Sequence, residues 1–402
     1  MSPSPAAQPV LPDEVLEDIF LLLEDAADLA RASAACTCFR RVVSGCRFLR
    51  RYRSLHPPPI LGILDFSSRY RGFHPAQSPR RSAPAAGAFA EAADFNLSFL
   101  PKDPSRCWHV RDLRDGRFLL SQHTRITMFL SKDLIVCDPL HRRYVQIPPV
   151  PGGLGLCGKE VIIEPFLAPV ISQEKDEPPS IQVICNVISE YELTITTFVF
   201  SSVTGKWRYA ASFSIANHEW MKCPLMATRR YVHNCFYWVE NRFSVEPMLV
   251  LDICAMKFSA VELPQVGRWR DKTIVEAGGG RLGLFVLEFH DASNNFALCS
   301  WTWRDNAVGA KHWQLDNTIP LPDYKWTWFF SKAEAEGHVL LRGCPRDEYI
   351  DRWRFPEEKV DAHYFTVDIK TLSVERLCRL KYESSPDYLY AGLPPPLSPP
   401  SI

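Results

Sequence analysis

The chain has 402 residues, 46% of them hydrophobic, with 46 basic residues against 46 acidic ones and a formal net charge of zero. That length and composition suit a globular protein of more than one domain, and the charge balance excludes the broad basic surface by which proteins hold nucleic acid or anionic membranes. Thirteen scattered cysteines, an odd number with no C-x-x-C pair, fit reduced thiols in the cytoplasm or nucleus rather than a disulfide framework.

Residues 1–9 read as a disordered start: Met1 to Val10 holds neither the basic nor the apolar stretch of a signal peptide. No apolar run reaches the roughly 20 residues of a membrane span, so no membrane partner is expected. Asn96-Leu97-Ser98 is a glycosylation sequon in form, without meaning in a chain outside the secretory route.

Residues 10–56 form a helical module. Val15, Leu16, Ile19, Phe20 and Leu23 fall on one face of a helix, started by Pro12 and with Asp13, Glu14, Glu17 and Asp18 in the turns where the helix dipole favours acids. Asp28 is expected to cap a second helix through Ala35, and Thr37 a third that carries Phe39, Val42 and Val43 and stops at Gly45. A fourth, around Phe48, Leu49, Tyr52 and Leu55, halts at Pro57-Pro58-Pro59. Charge is segregated here, with seven acids and no base from Asp13 to Asp28 and seven arginines and no acid from Arg31 to Arg53. The arginine run lacks a groove-reading motif, so it reads as a solvated face or a protein contact. About 45 residues of short helix bury too little to be comfortable alone; such a module leans on a neighbour or completes its surface with a partner.

Leu11-Pro12-Asp13-Glu14-Val15-Leu16, then Ile19-Phe20, Leu23, Asp28-Leu29-Ala30, Cys36 and Phe39-Arg40 resemble the F-box in order and spacing, with Phe39 where that family usually has Trp. The resemblance implies binding to the Skp-type adaptor of an SCF (cullin–RING) ubiquitin ligase, with Leu11, Pro12, Leu16, Ile19, Phe20, Leu23 and Leu29 as the adaptor-binding candidates. Val15, Phe20 and Leu29 are equally suited to the module's own core.

Residues 57–392 change to short β-rich runs bounded by turns, among them Thr196–Phe200, Met248–Leu251 and Leu282–Leu287. An Ala/Pro/Ser/Arg-rich stretch near 75–93 reads as a flexible insertion, and 393–402 as a disordered Pro-rich tail. A degenerate repeat runs through the region. An apolar run ends in a small polar or acidic residue and a large apolar residue follows six positions on, as in Asp138…Tyr144, Ser201…Trp207, Asp252…Phe258 and Asp368…Val374, with a longer-turned copy at Asp305…Trp313. The copies stand about 50–60 residues apart, and strand repeats of that length point to a β-propeller of about six units. Thr204-Gly205-Lys206-Trp207 resembles the turns of Kelch and plant F-box-associated repeats. The fold expected is therefore α+β and multidomain: a small N-terminal helical F-box, then a mostly antiparallel β domain, a propeller or, as the alternative, a β-sandwich-like associated domain.

No catalytic, cofactor or metal site is expected. Gly153-Leu154-Gly155-Leu156-Cys157-Gly158-Lys159 has the form of a nucleotide loop, but prolines precede it and Val161-Ile162-Ile163 follows as a strand, interrupted by Pro165, where a helix is needed. Cys36 and Cys38 lack histidines at zinc spacing, and His218-Glu219 lacks the second histidine of a metalloprotease motif. Trp301, Trp303, Trp313, Trp326 and Trp328 are core candidates, with a minor share in recognition. The function implied is that of a non-catalytic receptor subunit, gripping the adaptor through the helices and an unknown protein substrate through the β domain. The alternatives are a non-degradative scaffold or a propeller enzyme.

Overall fold

The structure is a computed structural model that describes residues 11–23, 26–56, 58–66, 71–101, 106–124, 133–151, 161–169, 181–189, 191–216, 227–240, 247–264, 271–290, 295–305, 311–322, 326–335, 337–345, 362–380 and 387–392. The two terminal segments read as disordered, the glycine loop at 153–159 and His218-Glu219 lie outside the described residues. The chain divides into two compact units, the first built on Met1–Pro58, the second on Pro59–Val170 and Ser180–Ile402.

The first unit holds four helices: α1 (Asp13–Leu21), α2 (Ala26–Ala35), α3 (Thr37–Val43) and α4 (Cys46–Leu55). Pro12 is the cap residue of α1, its carbonyl accepting from the Val15 and Leu16 amides. Two caps differ from expectation. Asp28 lies inside the first turn of α2 and pairs with Arg31, because the helix begins two residues earlier. Cys36, not Thr37, caps α3, its sulfur accepting from the Phe39 amide at 3.3 Å. Gly45 opens α4 with an ordinary negative φ. Leu16, Phe20, Leu21, Leu29, Val42, Val43, Phe48 and Tyr52 are the buried core. Phe39 stands edge-on to Phe20 with centroids 5.1 Å apart, so the smaller aromatic still closes the core. The segregated charges meet within the module: Arg41 reaches Asp13 at 2.9 Å and Arg51 reaches Asp18 at 3.2 Å.

The second unit is a six-bladed β-propeller. Blade one joins β1 (Ile60–Phe66) and β2 (Arg71–Pro75) to β23 (Asp387–Ala391). Blade two is β3 (Arg106–Arg114), β4 (Arg117–Thr124), β5 (Leu134–Asp138) and β6 (Arg143–Ile147). Blade three is β7 (Val161–Leu167), β8 (Gln182–Ser189), β9 (Thr194–Ser201) and β10 (Lys206–Ser214). Blade four is β11 (Ala227–Val232), β12 (Cys235–Glu240), β13 (Met248–Asp252) and β14 (Lys257–Val261). Blade five is β15 (Lys272–Ala277), β16 (Arg281–His290), β17 (Asn295–Asp305) and β18 (Lys311–Pro320), and blade six β19 (Trp326–Ala335), β20 (His338–Pro345), β21 (Ala362–Asp368) and β22 (Val374–Leu380). All pairings are antiparallel. Blade one closes the ring: β1 pairs on one side with β2 and on the other with the C-terminal β23, Ile63 lying opposite both His74 and Leu389.

Apolar seams run between successive blades. Leu119, Val136 and Ile147 of blade two meet Val183, Cys185 and Phe200 of blade three; Phe166 and Ile184 meet Phe236, Trp238 and Leu251 of blade four. Because a mid-blade strand is covered on both faces, β5 and β13 are nearly continuous apolar runs, while the outer β10 and β18 are largely exposed.

The repeat has a structural cause. Each copy is the turn between the third and fourth strands of a blade. The Asp138 carboxylate accepts the amides of Leu140 and His141, Asp252 those of Cys254 and Ala255, and Asp368 those of Lys370 and Thr371; the Ser201 hydroxyl accepts from Val203. These side chains satisfy turn amides that no strand can. The chain then turns through a left-handed residue at the same place in all four copies: Arg142, Gly205, Met256 and Leu372. The large residue that follows opens the outer strand, and in two blades it is a Trp that fastens the seam. Trp207 Nε1 donates to the Pro148 carbonyl at 2.8 Å and Trp313 Nε1 to the Glu262 carbonyl at 2.9 Å, each at the end of the preceding blade.

Two expectations are corrected. The stretch near 75–93 is not a flexible insertion: it contains α5 (Ala83–Ala92), whose Ala86 and Phe89 are buried. Phe89 packs among Phe73, Phe95 and Tyr390. The small residues that suggested a linker allow a helix to lie close against blade one. Pro165 does not interrupt its strand either; β7 runs through it opposite Cys185, since β7 is the edge strand of its sheet, where a missing N–H is tolerated.

Candidate functional site

The first candidate surface is on α1. The stripe read from sequence, Val15, Leu16, Ile19, Phe20 and Leu23, divides into inward and outward sets, and neighbouring apolar residues join each. Leu16, Phe20 and Leu21 point into the module, and Leu11, Val15, Ile19 and Leu22 point outward with 47%, 42%, 44% and 79% exposure. Val15, Ile19 and the C-cap Leu22, spaced four and three residues apart, fall along one side of the helix, and Leu11 stands just before its cap residue Pro12. Pro12 is also exposed, Leu23 is half-buried against the core, and Leu29 is buried. Of the adaptor-binding candidates, the structure therefore presents Leu11, Pro12 and Ile19 at the surface, and holds Leu16, Phe20 and Leu29 inside. It adds Val15, which the sequence left balanced between core and surface, and Leu22, which the sequence reading missed. These exposed apolar side chains make this the candidate surface of the module.

The second candidate is the propeller axis, lined by the first strands of blades two to six and by β23 of blade one. Arg229 on β11 reaches Glu164 on β7 at 2.8 Å and Asp112 on β3 at 3.1 Å, with its guanidinium 4.4 Å over the Phe166 ring. Burial alone would lower the Arg229 pKa, but the two carboxylates outweigh it and hold the pKa above its ordinary value. The carboxylates have further partners. Asp112 accepts the Leu167 amide, and Glu164 accepts Trp238 Nε1 and Asn186 Nδ2. Arg111 hydrogen-bonds to Ser121, and burial lowers its pKa. Tyr388 on β23 donates to the Val110 carbonyl at 3.1 Å, and its phenol is pushed up by burial. The arrangement ties blades one to four together, and its acids are engaged by Arg229 and by hydrogen-bond donors rather than held for proton transfer.

The tryptophans divide as well. Trp328 is buried; Trp301, Trp303, Trp313 and Trp326 are half-buried. Gly278-Gly279-Gly280 is the β15–β16 turn, with positive φ at Gly279 and Gly280. Cys36 and Cys38 are exposed residues of the helical module. One group of metal-ligating side chains gathers among the described residues: Glu288, His290 and Cys299, on two paired strands. Sequence spacing did not reveal it, because only the antiparallel pairing of β16 with β17 brings residues nine and eleven apart together.

Comparison with known proteins bears on both units. Residues 9–55 match the F-box-like family, and residues 109–342 match the family described as F-box protein AT5G49610-like, beta-propeller. No curated protein sequence matches the chain. Among solved structures it is similar to Kuenenia stuttgartiensis hydrazine synthase (8% identity, 69% of this chain and 67% of that one, TM-score 0.34). It is also similar to Penicillium chrysogenum alpha-L-arabinanase (10%, 72% and 96%, 0.30) and Vibrio parahaemolyticus oligogalacturonate lyase (9%, 66% and 65%, 0.35). Likeness this distant carries no argument about activity. The helical module with its outward apolar row, the six closed blades and the two family matches agree, and the chain belongs to the F-box proteins with an AT5G49610-like β-propeller.

Proposed function

We propose that this protein is the substrate-recognition subunit of an SCF-type ubiquitin ligase, docking a Skp-type adaptor through its F-box and a target protein through its propeller. The observation that carries this reading is the exposed apolar set Leu11, Val15, Ile19 and Leu22, on and at the ends of a helix whose inward face already has a filled core. Covering four partly exposed apolar side chains contributes on the order of 4–6 kcal/mol, enough to anchor a complex once polar contacts at the rim add to it. In this reading the chain performs no bond chemistry. It raises the effective concentration of a target lysine beside the charged conjugating enzyme.

Reconstitution tests this. The intact chain is expected to co-elute with a Skp-type adaptor and a cullin–RING assembly, and that assembly to transfer ubiquitin to a protein captured by the propeller. Co-elution without transfer to any captured protein would favour a scaffold that binds the same adaptor. Failure to co-elute would remove the ligase reading altogether.

A further inference from the structure

Blade five carries a second kind of site. Glu288 and His290 lie two residues apart on β16 and so share one face of the sheet. Cys299 on β17 lies opposite Val286, which puts its side chain on that same face. The carboxylate oxygen, imidazole nitrogen and thiol sulfur all lie within 4.8 Å of one another. Cys299 is buried, with its sulfur 3.8 Å from the Thr318 hydroxyl, whereas Glu288 is half-buried and His290 exposed.

We propose that Glu288, His290 and Cys299 form a site for a divalent transition-metal ion, best matched to Zn²⁺, at the seam of blades four and five. The donor set decides the ion. Thiolate and imidazole select against Mg²⁺ and Ca²⁺, which prefer all-oxygen shells, and one sulfur, one nitrogen and one oxygen suit zinc. Zinc holds nitrogen and oxygen near ~2.0 Å and sulfur near ~2.3 Å, so tetrahedral ligands stand roughly 3.3–3.8 Å apart by that geometry. The cluster needs to close by about 1 Å to reach that geometry. The rotatable Glu288 and the exposed His290 supply that movement, and the packed Cys299 fixes the centre. Three protein ligands leave a fourth position for water. The site is anchored on rigid paired strands, and Cys299 sits in the apolar cluster shared by Val239, Val250 and Leu284, so a bound ion pins the end of β16 to the blade four–blade five seam. On binding, the Cys299 thiol releases its proton to solvent and the thiolate pair forms the bond to zinc. Affinity therefore rises with pH. The proposal does not depend on the ligase reading.

The test uses the full chain, stripped with a chelator and titrated with Zn²⁺ and, separately, with Co²⁺. Expected are one tightly held ion per chain, a rise in melting temperature, and a sulfur-to-cobalt charge-transfer band. His290→Ala, at an exposed position, leaves the fold intact and is expected to weaken binding more than about tenfold, since even outer-shell changes commonly cost that much. Cys299→Ser is expected to abolish the charge-transfer band. Zinc bound equally well by the wild type and His290→Ala would assign it to the exposed Cys36, Cys38 or Cys254 and overturn the proposal. Absence of stoichiometric binding to the wild type would overturn it too.

Discussion

Arg229 and Asp112 belong to blades that are not neighbours, yet they meet at 3.1 Å, and Glu164 of the blade between them joins the same guanidinium at 2.8 Å. One cation thus fixes the spacing of three blades at the axis. Removing it leaves two carboxylates in a site of little solvent without their counter-charge. Arg229→Ala is expected to destabilise the propeller by about 3–5 kcal/mol, measured by urea unfolding. Arg229→Lys is expected to recover only part of this, because a point charge cannot serve both carboxylates with the fork of a guanidinium.

The pH dependence of stability should carry the mark of Asp271. Its carboxyl is raised to about 6 from 3.8 by burial, against the pull of the Phe330 amide and of nearby Arg342, Arg230 and Lys272. Below 3.8 both states hold the proton. As pH rises from there to about 6, the unfolded chain has released a proton that the folded chain retains, so stability falls through this window and the loss is complete above it. Asp271→Asn keeps an acceptor for the Phe330 amide and removes the charge. It is expected to raise the melting temperature at pH 7, by an amount on the order of 1–3 kcal/mol in stability, and to leave it unchanged at pH 3.5.

Asp368 should act in the opposite direction. Burial disfavours its ionisation, but the Thr371 amide and hydroxyl, the Lys370 amide and the charge of His338 outweigh burial and hold its pKa below 3.8. Its stabilising contribution is whole above the unfolded value of 3.8 and is lost as pH falls through the lower folded value. Asp368→Asn is expected to flatten the acid limb of a stability–pH curve while leaving the limb due to Asp271 in place.

The shared left-handed turn position gives a pair of opposed substitutions. Gly205 has φ +65° and open space where a Cβ would stand, so Gly205→Ala meets only the backbone cost, about 1–2 kcal/mol. Arg142 has φ +53° and is exposed; Arg142→Gly is expected to stabilise by up to about 1 kcal/mol. Thermal unfolding of both variants measures this, and equal effects of one sign would show that backbone strain is not what the turn position carries.

Much of the propeller was legible because its turns are local. The aspartates at 138, 252 and 368 must cap their own turn amides, so they recur at readable positions. The left-handed residue four places later is glycine only at 205, and Arg142, Met256 and Leu372 hide the rest of the motif. Blade one was illegible for a different reason: β23 completes it from the far end of the chain, and no local pattern records a pairing between Ile63 and Leu389. The same limit hid the axis, where Asp112, Glu164 and Arg229 are ordinary charged residues in strands until closure brings them together. Within the F-box, periodicity marked the apolar positions of α1 but could not separate the inward from the outward ones. Residues 15 and 16, or 19 and 20, are adjacent in sequence yet about 100° apart around the helix.

That separation supplies the most direct test of the central claim, that the outward row of α1 is the adaptor contact. Titration of a purified Skp-type adaptor against the full chain should be compared between the wild type, Val15→Asp/Ile19→Asp and Phe20→Leu, with circular dichroism confirming that each is folded. The account predicts that the surface pair abolishes binding without changing stability, while Phe20→Leu lowers the stability of the module and, where folded, still binds. Undiminished binding by a folded Val15→Asp/Ile19→Asp variant would contradict it.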